Sequence, residues 1–251
     1  MIANQRVVAV VQARMGSSRL PGKVLLPLAN RPVLWHILER LDSLAVLDEI
    51  VLATSREPQD DSIARFADYV LERQALRHPF RLFRGAHEDV LARFYQALEP
   101  DPPELVVRVT ADTPLIATCH LQRMIEHLVY TGVDGVDAHH GATGLTLGFG
   151  AEVYRYQALK DAHLLAMNDE EREHVSLFIK RRPQAFAVHY LKPSPELCSE
   201  HRLTLDTDDD YRRLAALFEA HYRPGQPIDC RALLRALEAQ RQSSPLTPRT
   251  Q

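Results

Sequence analysis

Cysteine is scarce in this 251-residue chain, with three residues far apart at Cys119, Cys198 and Cys230. No CxxC pair occurs, which argues against a zinc site and against a disulfide framework and suits a reducing compartment. No sign of charge dominates: 30 Lys and Arg face 33 Asp and Glu, for a formal net charge of -3. A dedicated nucleic-acid binder would carry a clear basic excess, so no nucleic-acid partner is expected. Long apolar runs are also missing. None approaches the ~20 residues that cross a bilayer, and the opening Met1–Arg6 lacks the apolar core of a signal peptide. The expectation is a cytoplasmic protein that does not enter membranes. No internal repeat is present. What remains is ordinary globular material, 45% hydrophobic and 25% charged, and long enough for one large α/β domain.

Along the chain, apolar strands alternate with amphipathic helices. Val7-Val8-Ala9-Val10-Val11 is a continuous β-branched run of the kind buried on both faces of a parallel sheet. A loop from Ala13 to Gly22 follows. A helix then opens near Pro32, with Val33, Leu34, Ile37, Leu38 and Leu41 on one face. The pattern repeats with a strand at 50–53, a helix at 60–69, a strand at 81–83, a helix at 89–98, a strand at 105–109 and a helix at 120–130. Such alternation implies right-handed βαβ units, hence a Rossmann-like, three-layer, mostly parallel sheet. Ligands in these sheets bind beyond the carboxyl ends of the strands, where strand order reverses.

Past Tyr130 the pattern loosens. Strands are expected at 134–138, 145–147, 185–191 and 202–205, and helices at 156–166, 170–181 and 208–222. Residues 133–200 read as an inserted segment that completes a substrate pocket or makes a dimer contact. The whole is taken as one domain, 1–239, with a polar, proline-containing tail from Gln240 expected to be disordered.

The strongest local signal is Gln12-Ala13-Arg14-Met15-Gly16-Ser17-Ser18-Arg19-Leu20-Pro21-Gly22-Lys23, directly after the first strand. Guanidiniums, an ammonium, hydroxyls and glycine-exposed backbone amides suit a polyphosphate. The loop is not a Walker A sequence, since its glycines are spaced one residue too far apart and Val24 stands where a metal-binding Ser or Thr belongs. A solvated turn with scattered charge is the plain alternative.

The wording Gln-Ala-Arg-x-x-Ser-x-Arg-Leu-Pro-Gly-Lys resembles the opening motif of the sugar-acid cytidylyltransferases, the superfamily of CMP-Kdo and CMP-sialate synthetases, and within it the SpsF-type branch. The resemblance implies CTP and a sugar acid as substrates, Mg2+ as cofactor and a homodimer. It implies cytidine held near Ala13 and Arg14, and the triphosphate held by Arg14, Ser17, Arg19 and Lys23. Ser18 enters by its place in the loop.

Val109-Thr110-Ala111-Asp112-Thr113-Pro114 lies past another buried strand. A lone Asp before Thr-Pro is ordinarily a turn or cap. The resemblance places Asp112, with Thr110 beside the nucleotide, at a metal-binding Asp. Leu205-Asp206-Thr207-Asp208-Asp209-Asp210 carries a second candidate, Asp206, while Asp208–Asp210 suit a helix N-terminus. Magnesium accepts one or two carboxylates alongside phosphate oxygens and water. Arg84-Gly85 and Asp89-Val90-Leu91-Ala92-Arg93 resemble a further family segment, with Arg84 the nucleotide ligand and Arg93 equally readable as a surface salt bridge.

Glu171-Arg172-Glu173-His174-Val175-Ser176 resembles the branch's Arg-Glu-His-Val-Thr motif, which points Glu173 and His174 to the substrate. An amphipathic helix with Glu170 and His174 paired is the alternative. Glu152 matches a family Glu near the acceptor sugar. Arg14, Lys23, Asp112 and Asp206 are thus the expected catalytic set. A glycosyltransferase remains open, since Asp206-Thr207-Asp208 spells its Asp-x-Asp motif, as does a non-catalytic nucleotide or sugar sensor.

Overall fold

The computed structural model describes residue 2 and residues 4–243. The first half alternates as the sequence suggests. Strand β1 (Val7–Gln12) is followed by a small hairpin of β2 (Pro27–Leu28) and β3 (Arg31–Pro32), helix α1 (Val33–Asp42), β4 (Glu49–Ser55), α2 (Asp61–Glu72), β5 (Phe80–Gly85), α3 (Val90–Leu98), β6 (Leu105–Thr110) and α4 (Thr118–Thr131). The second half contains β7 (Gly135–Asp137), the short α5 (His140–Thr143), β8 (Glu152–Arg155), α6 (Tyr156–Leu165), α7 (Asp169–Glu173), α8 (Leu177–Lys180), β9 (Val188–Tyr190), α9 (Asp208–His221) and α10 (Cys230–Ser243).

Seven strands form one sheet in the order β5-β4-β1-β6-β8-β7-β9. β1 lies between β4 and β6, parallel to both, so the chain reverses its direction of travel across the sheet at β1. β8 runs antiparallel to both β6 and β7. Segment 133–200 therefore supplies β7, β8 and β9 of the same sheet. The β1–β6 register pairs Val11 with Val109 and Gln12 with Thr110, which brings the loops after both strands out level with each other.

Alternation along β1 divides the core. Val7, Ala9 and Val11 pack with Leu34, Ile37 and Leu38 of α1, Ile63 of α2, Leu121 and Ile125 of α4, and Leu214 and Phe218 of α9. Val8 and Val10 pack on the other face with Leu91 and Phe94 of α3, Leu159 of α6 and Ile179 of α8. Residues Val7 to Val11 are all at 0% exposure. Each of the valines contributes roughly 1.5–3 kcal/mol of burial, which is why this strand tolerates no polar residue until its last position, Gln12.

Several expected elements are revised. The helix expected over 170–181 is two short helices, because Val175 adopts a left-handed backbone (φ 37) that ends α7 and restarts the chain at α8. Glu170 pairs with Arg181 at 2.8 Å rather than with His174. The strands expected at 145–147 and 202–205 are single bridges, Leu145 with Cys198 and Leu147 with Arg202. Gly148 (φ 104) sits so close to Leu203 that a Cβ would lie 2.4 Å from its backbone, so this crossing needs glycine. α10 carries Gln240 to Ser243 in helix, against the expected disorder, and the remaining tail, 244–251, lies outside the described residues.

Two histidines are buried in this frame. His36 shares a hydrogen bond with the Leu28 carbonyl at 2.8 Å and packs on the Phe218 and Tyr222 rings. Burial lowers the pKa of His36 and of His120 to about 4 in each case. Both are neutral in the folded chain and titrate near 6.5 when unfolded. Their stabilising contribution is therefore whole above pH 6.5 and is lost as pH falls from there toward 4, by up to about 3 kcal/mol each. Urea midpoints measured from pH 7.5 to 4.5 should fall across that window. His36→Gln should flatten part of the slope, and an unchanged slope would contradict the assignment.

Candidate active site

The loop after β1 is shaped by three backbone devices. Gly22 takes a left-handed conformation (φ 71) that starts a single 3-10 turn at Lys23–Leu25. The Gly22 N–H donates to the Met15 carbonyl at 2.9 Å, closing the loop on itself. The Met15 N–H donates to Asp60 Oδ1 at 2.6 Å, and the fully buried Asp60 is gripped in turn by the Ser55 hydroxyl at the end of β4. Asp60 went unnoticed in the sequence because an Asp at a helix start is ordinarily a cap. Here its carboxylate staples the loop to the neighbouring strand.

Past β6, the Thr110 hydroxyl donates to Asp112 Oδ1 at 2.6 Å, and the Thr113 hydroxyl donates to the Thr110 carbonyl at 2.9 Å. The Leu205 N–H donates to the Asp112 carbonyl at 2.9 Å, drawing the distant 205–206 segment alongside. Thr207 is the N-cap of α9, and with Asp210 it forms a reciprocal capping box. That arrangement leaves the Asp206 carboxylate out of the cap. Asp112 and Asp206, 94 positions apart by number, meet at one atom. Lys23 Nζ lies 3.3 Å from Asp112 Oδ2, 3.1 Å from Asp206 Oδ1 and 2.8 Å from the Leu205 carbonyl. Arg19 Nη2 stands 3.3 Å from Asp206 Oδ1, and Arg202 pairs with Asp206 Oδ2.

Three adjoining cavities surround this meeting point. One, about 290 Å³, is lined by Ala13, Arg14, Ser17, Ser18, Arg19, Lys23, Thr110, Asp112 and Asp206, which gathers most of the residues singled out from the sequence. A second, about 220 Å³, is lined by Gln12, Ala13, Arg14, Arg93, Arg108, Thr110, Glu173 and His174. A third, about 270 Å³, is bordered by Arg108, Thr110, Asp112, Asp137, His139, Glu152 and Thr204. Thr110 lines all three, and Asp112 lines the first and third.

Arg84 is not brought to these cavities. Its guanidinium donates to the Ser55 and Glu57 carbonyls at 2.9 and 3.1 Å and pairs with Asp61 at 2.7 Å. It therefore braces the turn between β4 and α2. Arg93 takes a place in the second cavity instead. It is 1% exposed, donates from Nη1 to the Ala86 carbonyl at 2.7 Å, and makes no salt bridge among the described residues. Burial, with Arg14 nearby, lowers its pKa to about 10, still well above neutrality. Arg14 itself pairs with Glu173 at 3.2 Å.

Glu152 anchors the third cavity within a charged quartet that sequence reading did not assemble. Arg108 Nη1 approaches it at 3.0 Å and Lys180 Nζ at 2.6 Å, while Lys180 also lies 2.6 Å from Asp137. Burial alone would raise the Glu152 pKa, but Arg108 and Lys180 outweigh it and hold the carboxyl ionised, at about 2. Lys180 likewise stays charged, because Glu152 and Asp137 overcome the cost of its burial. Arg108 was legible in principle, as a lone cation in the strand Leu105–Thr110. Asp137 and Lys180 carried no such signal: each sits in an unremarkable stretch, Asp137 being set opposite Glu152 by the β7–β8 pairing and Lys180 reaching both carboxylates from the end of α8. Two carboxylates within 3.3 Å of one ammonium nitrogen fit the oxygen donor set that a divalent ion takes, with phosphate or water completing it. Among the described residues, no group of three or more His, Cys, Asp or Glu side chains could hold a metal on its own.

A sequence model of the cytidylyltransferase family matches residues 8–242, so the chain belongs to that family and is a nucleotidyltransferase by class. It is 34% identical over 219 residues to the spore coat polysaccharide biosynthesis protein SpsF of Bacillus subtilis, covering 85% of this chain and 86% of that one. It is 33% identical over 127 residues to a 3-deoxy-manno-octulosonate cytidylyltransferase of Syntrophobacter fumaroxidans, covering 49% of this chain and 45% of the relative. Among solved structures, a cytidylyltransferase from Leptospira borgpetersenii superposes with a TM-score of 0.85 at 24% identity, over 99% of this chain and 100% of that one, a likeness of fold. No helix among the described residues is long and apolar enough to cross a membrane.

The charged quartet generates a stability test. Lys180→Met leaves the buried Asp137 and the half-buried Glu152 facing Arg108 alone, and should cost about 3 kcal/mol in a denaturant titration at pH 7. Lys180→Arg should recover most of it. A Met variant within about 0.5 kcal/mol of wild type would show that the lysine is not what holds the two carboxylates.

Proposed function

We propose that this chain transfers a cytidylyl group from CTP to a sugar hydroxyl, releasing pyrophosphate in the synthesis of a surface polysaccharide or glycan. The observation that carries the reading is the shared edge formed by Thr110 and Asp112, which borders the cationic cavity on one side and the Glu152 cavity on the other. A triphosphate laid over the Arg14–Lys23 loop would present its α-phosphorus at that edge, with an acceptor on the Glu152 side. The cytidine would occupy the smaller cavity beside Ala13, where Arg14, Glu173 and His174 converge.

The acceptor oxygen attacks phosphorus in line, the new P–O bond forms as the bond to the β-phosphate bridge oxygen breaks, and the hydroxyl proton passes to solvent. Little covalent chemistry falls to the protein; orientation and charge neutralisation dominate. Lys23, Arg14 and Arg19 supply positive charge where negative charge grows on the departing pyrophosphate. Asp112 and Asp206 would hold Mg2+, which when bound polarises the phosphoryl oxygens. Glu152, ionised and held by Arg108 and Lys180, would accept hydrogen bonds from acceptor hydroxyls.

A sugar acid is the proposed acceptor class, on the resemblance and on the relative whose name specifies 3-deoxy-manno-octulosonate. A homodimer is proposed through segment 133–200, where Leu164, Leu165 and Met167 are exposed at 62%, 60% and 89%. A location in the cytoplasm completes the reading.

Pyrophosphate release should be measured with each of the four ribonucleoside triphosphates, Mg2+ and a panel of sugar acids and neutral sugars. Release that requires both CTP and a sugar acid is expected. Asp112→Asn and Asp206→Asn should each lower turnover at least ~100-fold. Asn variants with near-normal rates, or release that favours another triphosphate, would refute the proposal.

A further inference from the structure

Lys23 occupies an unusual place for a phosphate-binding lysine. Its ammonium has three N–H donors and three protein acceptors: Asp112 Oδ2, Asp206 Oδ1 and the Leu205 carbonyl. The side chain is largely enclosed, at 14% exposure, so water does not compete strongly for those donors. Asp206 is engaged at both oxygens, by Lys23 and Arg19 on Oδ1 and by Arg202 on Oδ2. Two negative charges are therefore met by three positive ones. The point at which both carboxylates meet already holds a cation, the Lys23 ammonium.

From this arrangement we infer that Lys23 is an internal counter-cation that makes metal binding depend on nucleotide. Without nucleotide, a divalent ion entering between Asp112 and Asp206 must push the ammonium out against like charge and strip it of three acceptors. A triphosphate bound over the loop reverses the balance. Its oxygens offer Lys23 and Arg19 better-charged partners than a carbonyl and a shared carboxylate. As the two cations turn to the phosphates, Asp112 loses its lysine and Asp206 keeps only Arg202, so the negative charge they present rises and with it the affinity for the divalent ion. The lysine thus has two stations, carboxylates before nucleotide arrives and phosphates afterward. Linkage makes the effect reciprocal: the metal raises nucleotide affinity by the same factor. The inference rests on reading this cavity as the triphosphate and metal site, and it adds the order in which that site fills.

The test is Mn2+ binding, followed by the loss of the free-ion electron paramagnetic resonance signal, on the full chain with no acceptor present. Wild type should bind Mn2+ weakly alone. With a non-hydrolysable α,β-methylene CTP analogue it should bind more tightly than the analogue alone accounts for. Lys23→Met should bind Mn2+ in the absence of nucleotide about 10-fold or more tightly than wild type. Lys23→Gln, which keeps a hydrogen-bond donor and guards against a folding defect in the Met variant, should show the same gain, while Lys23→Arg should not.

If neither neutral variant gains Mn2+ affinity, the counter-cation role is wrong. The double variants Lys23→Met/Asp112→Asn and Lys23→Met/Asp206→Asn separate that failure from failure of the site itself. They should lose the gain, and a gain that survives them would place the metal elsewhere and overturn both readings. Wild type that binds Mn2+ equally with and without the analogue would likewise overturn the coupling.

Discussion

The site depends on one electrostatic arrangement: two carboxylates from distant parts of the chain face a single lysine at the carboxyl ends of parallel strands. Everything around it serves to keep those charges at that spacing. The β1–β6 register levels the two loops, the Leu205 N–H bond to the Asp112 carbonyl brings in the second acid, and the capping box at Thr207 and Asp210 frees Asp206 from helix duty. A phosphate loop without the acids would bind anions but offer nothing to a divalent ion. The acids without the loop would repel a triphosphate. Their juxtaposition at the point where the sheet reverses its direction of build is what turns a common fold into a candidate transfer site.

Much of this was legible in the chain itself. β1 announced itself because a central parallel strand must be apolar on both faces, and the strand–helix alternation through α4 followed from the same periodicity. The loop from Ala13 to Lys23 stood out because cations, hydroxyls and glycines rarely crowd one turn without an anion to meet. The second half was harder to read for a physical reason. β8 runs antiparallel to its neighbours and is only four residues long, so it falls outside the strand–helix–parallel-strand alternation that marked the first half. The break between α7 and α8 turns on Val175 in a left-handed conformation, a state that β-branched residues avoid and that no local pattern signals.

The residues that sequence reading missed share a character: they act through other residues. Asp60 holds a backbone amide of the loop. Lys180 holds Glu152, and Asp137 shares that ammonium. Arg93 and Arg84 are placed otherwise than the sequence suggested. Both are arginines in one recognisable segment, yet the helical position of Arg93 directs it inward to the second cavity, while Arg84, at the end of β5, turns back to brace the β4–α2 turn. Spacing along the chain separates strand from helix but does not tell which of two cations faces a cavity; that depends on packing of the whole sheet.

The central claim is that Asp112 and Asp206 share one divalent ion with a triphosphate seated on the Arg14–Lys23 loop. A crystal structure of the chain with CTP and Mn2+, with the metal located by its anomalous scattering, tests it most directly. The account expects one peak in contact with both carboxylates and the phosphates, with the Lys23 ammonium moved onto phosphate oxygen. A nucleotide bound elsewhere, for instance in the cavity lined by Trp35, Glu39 and Tyr222, or a metal touching neither aspartate, would contradict it.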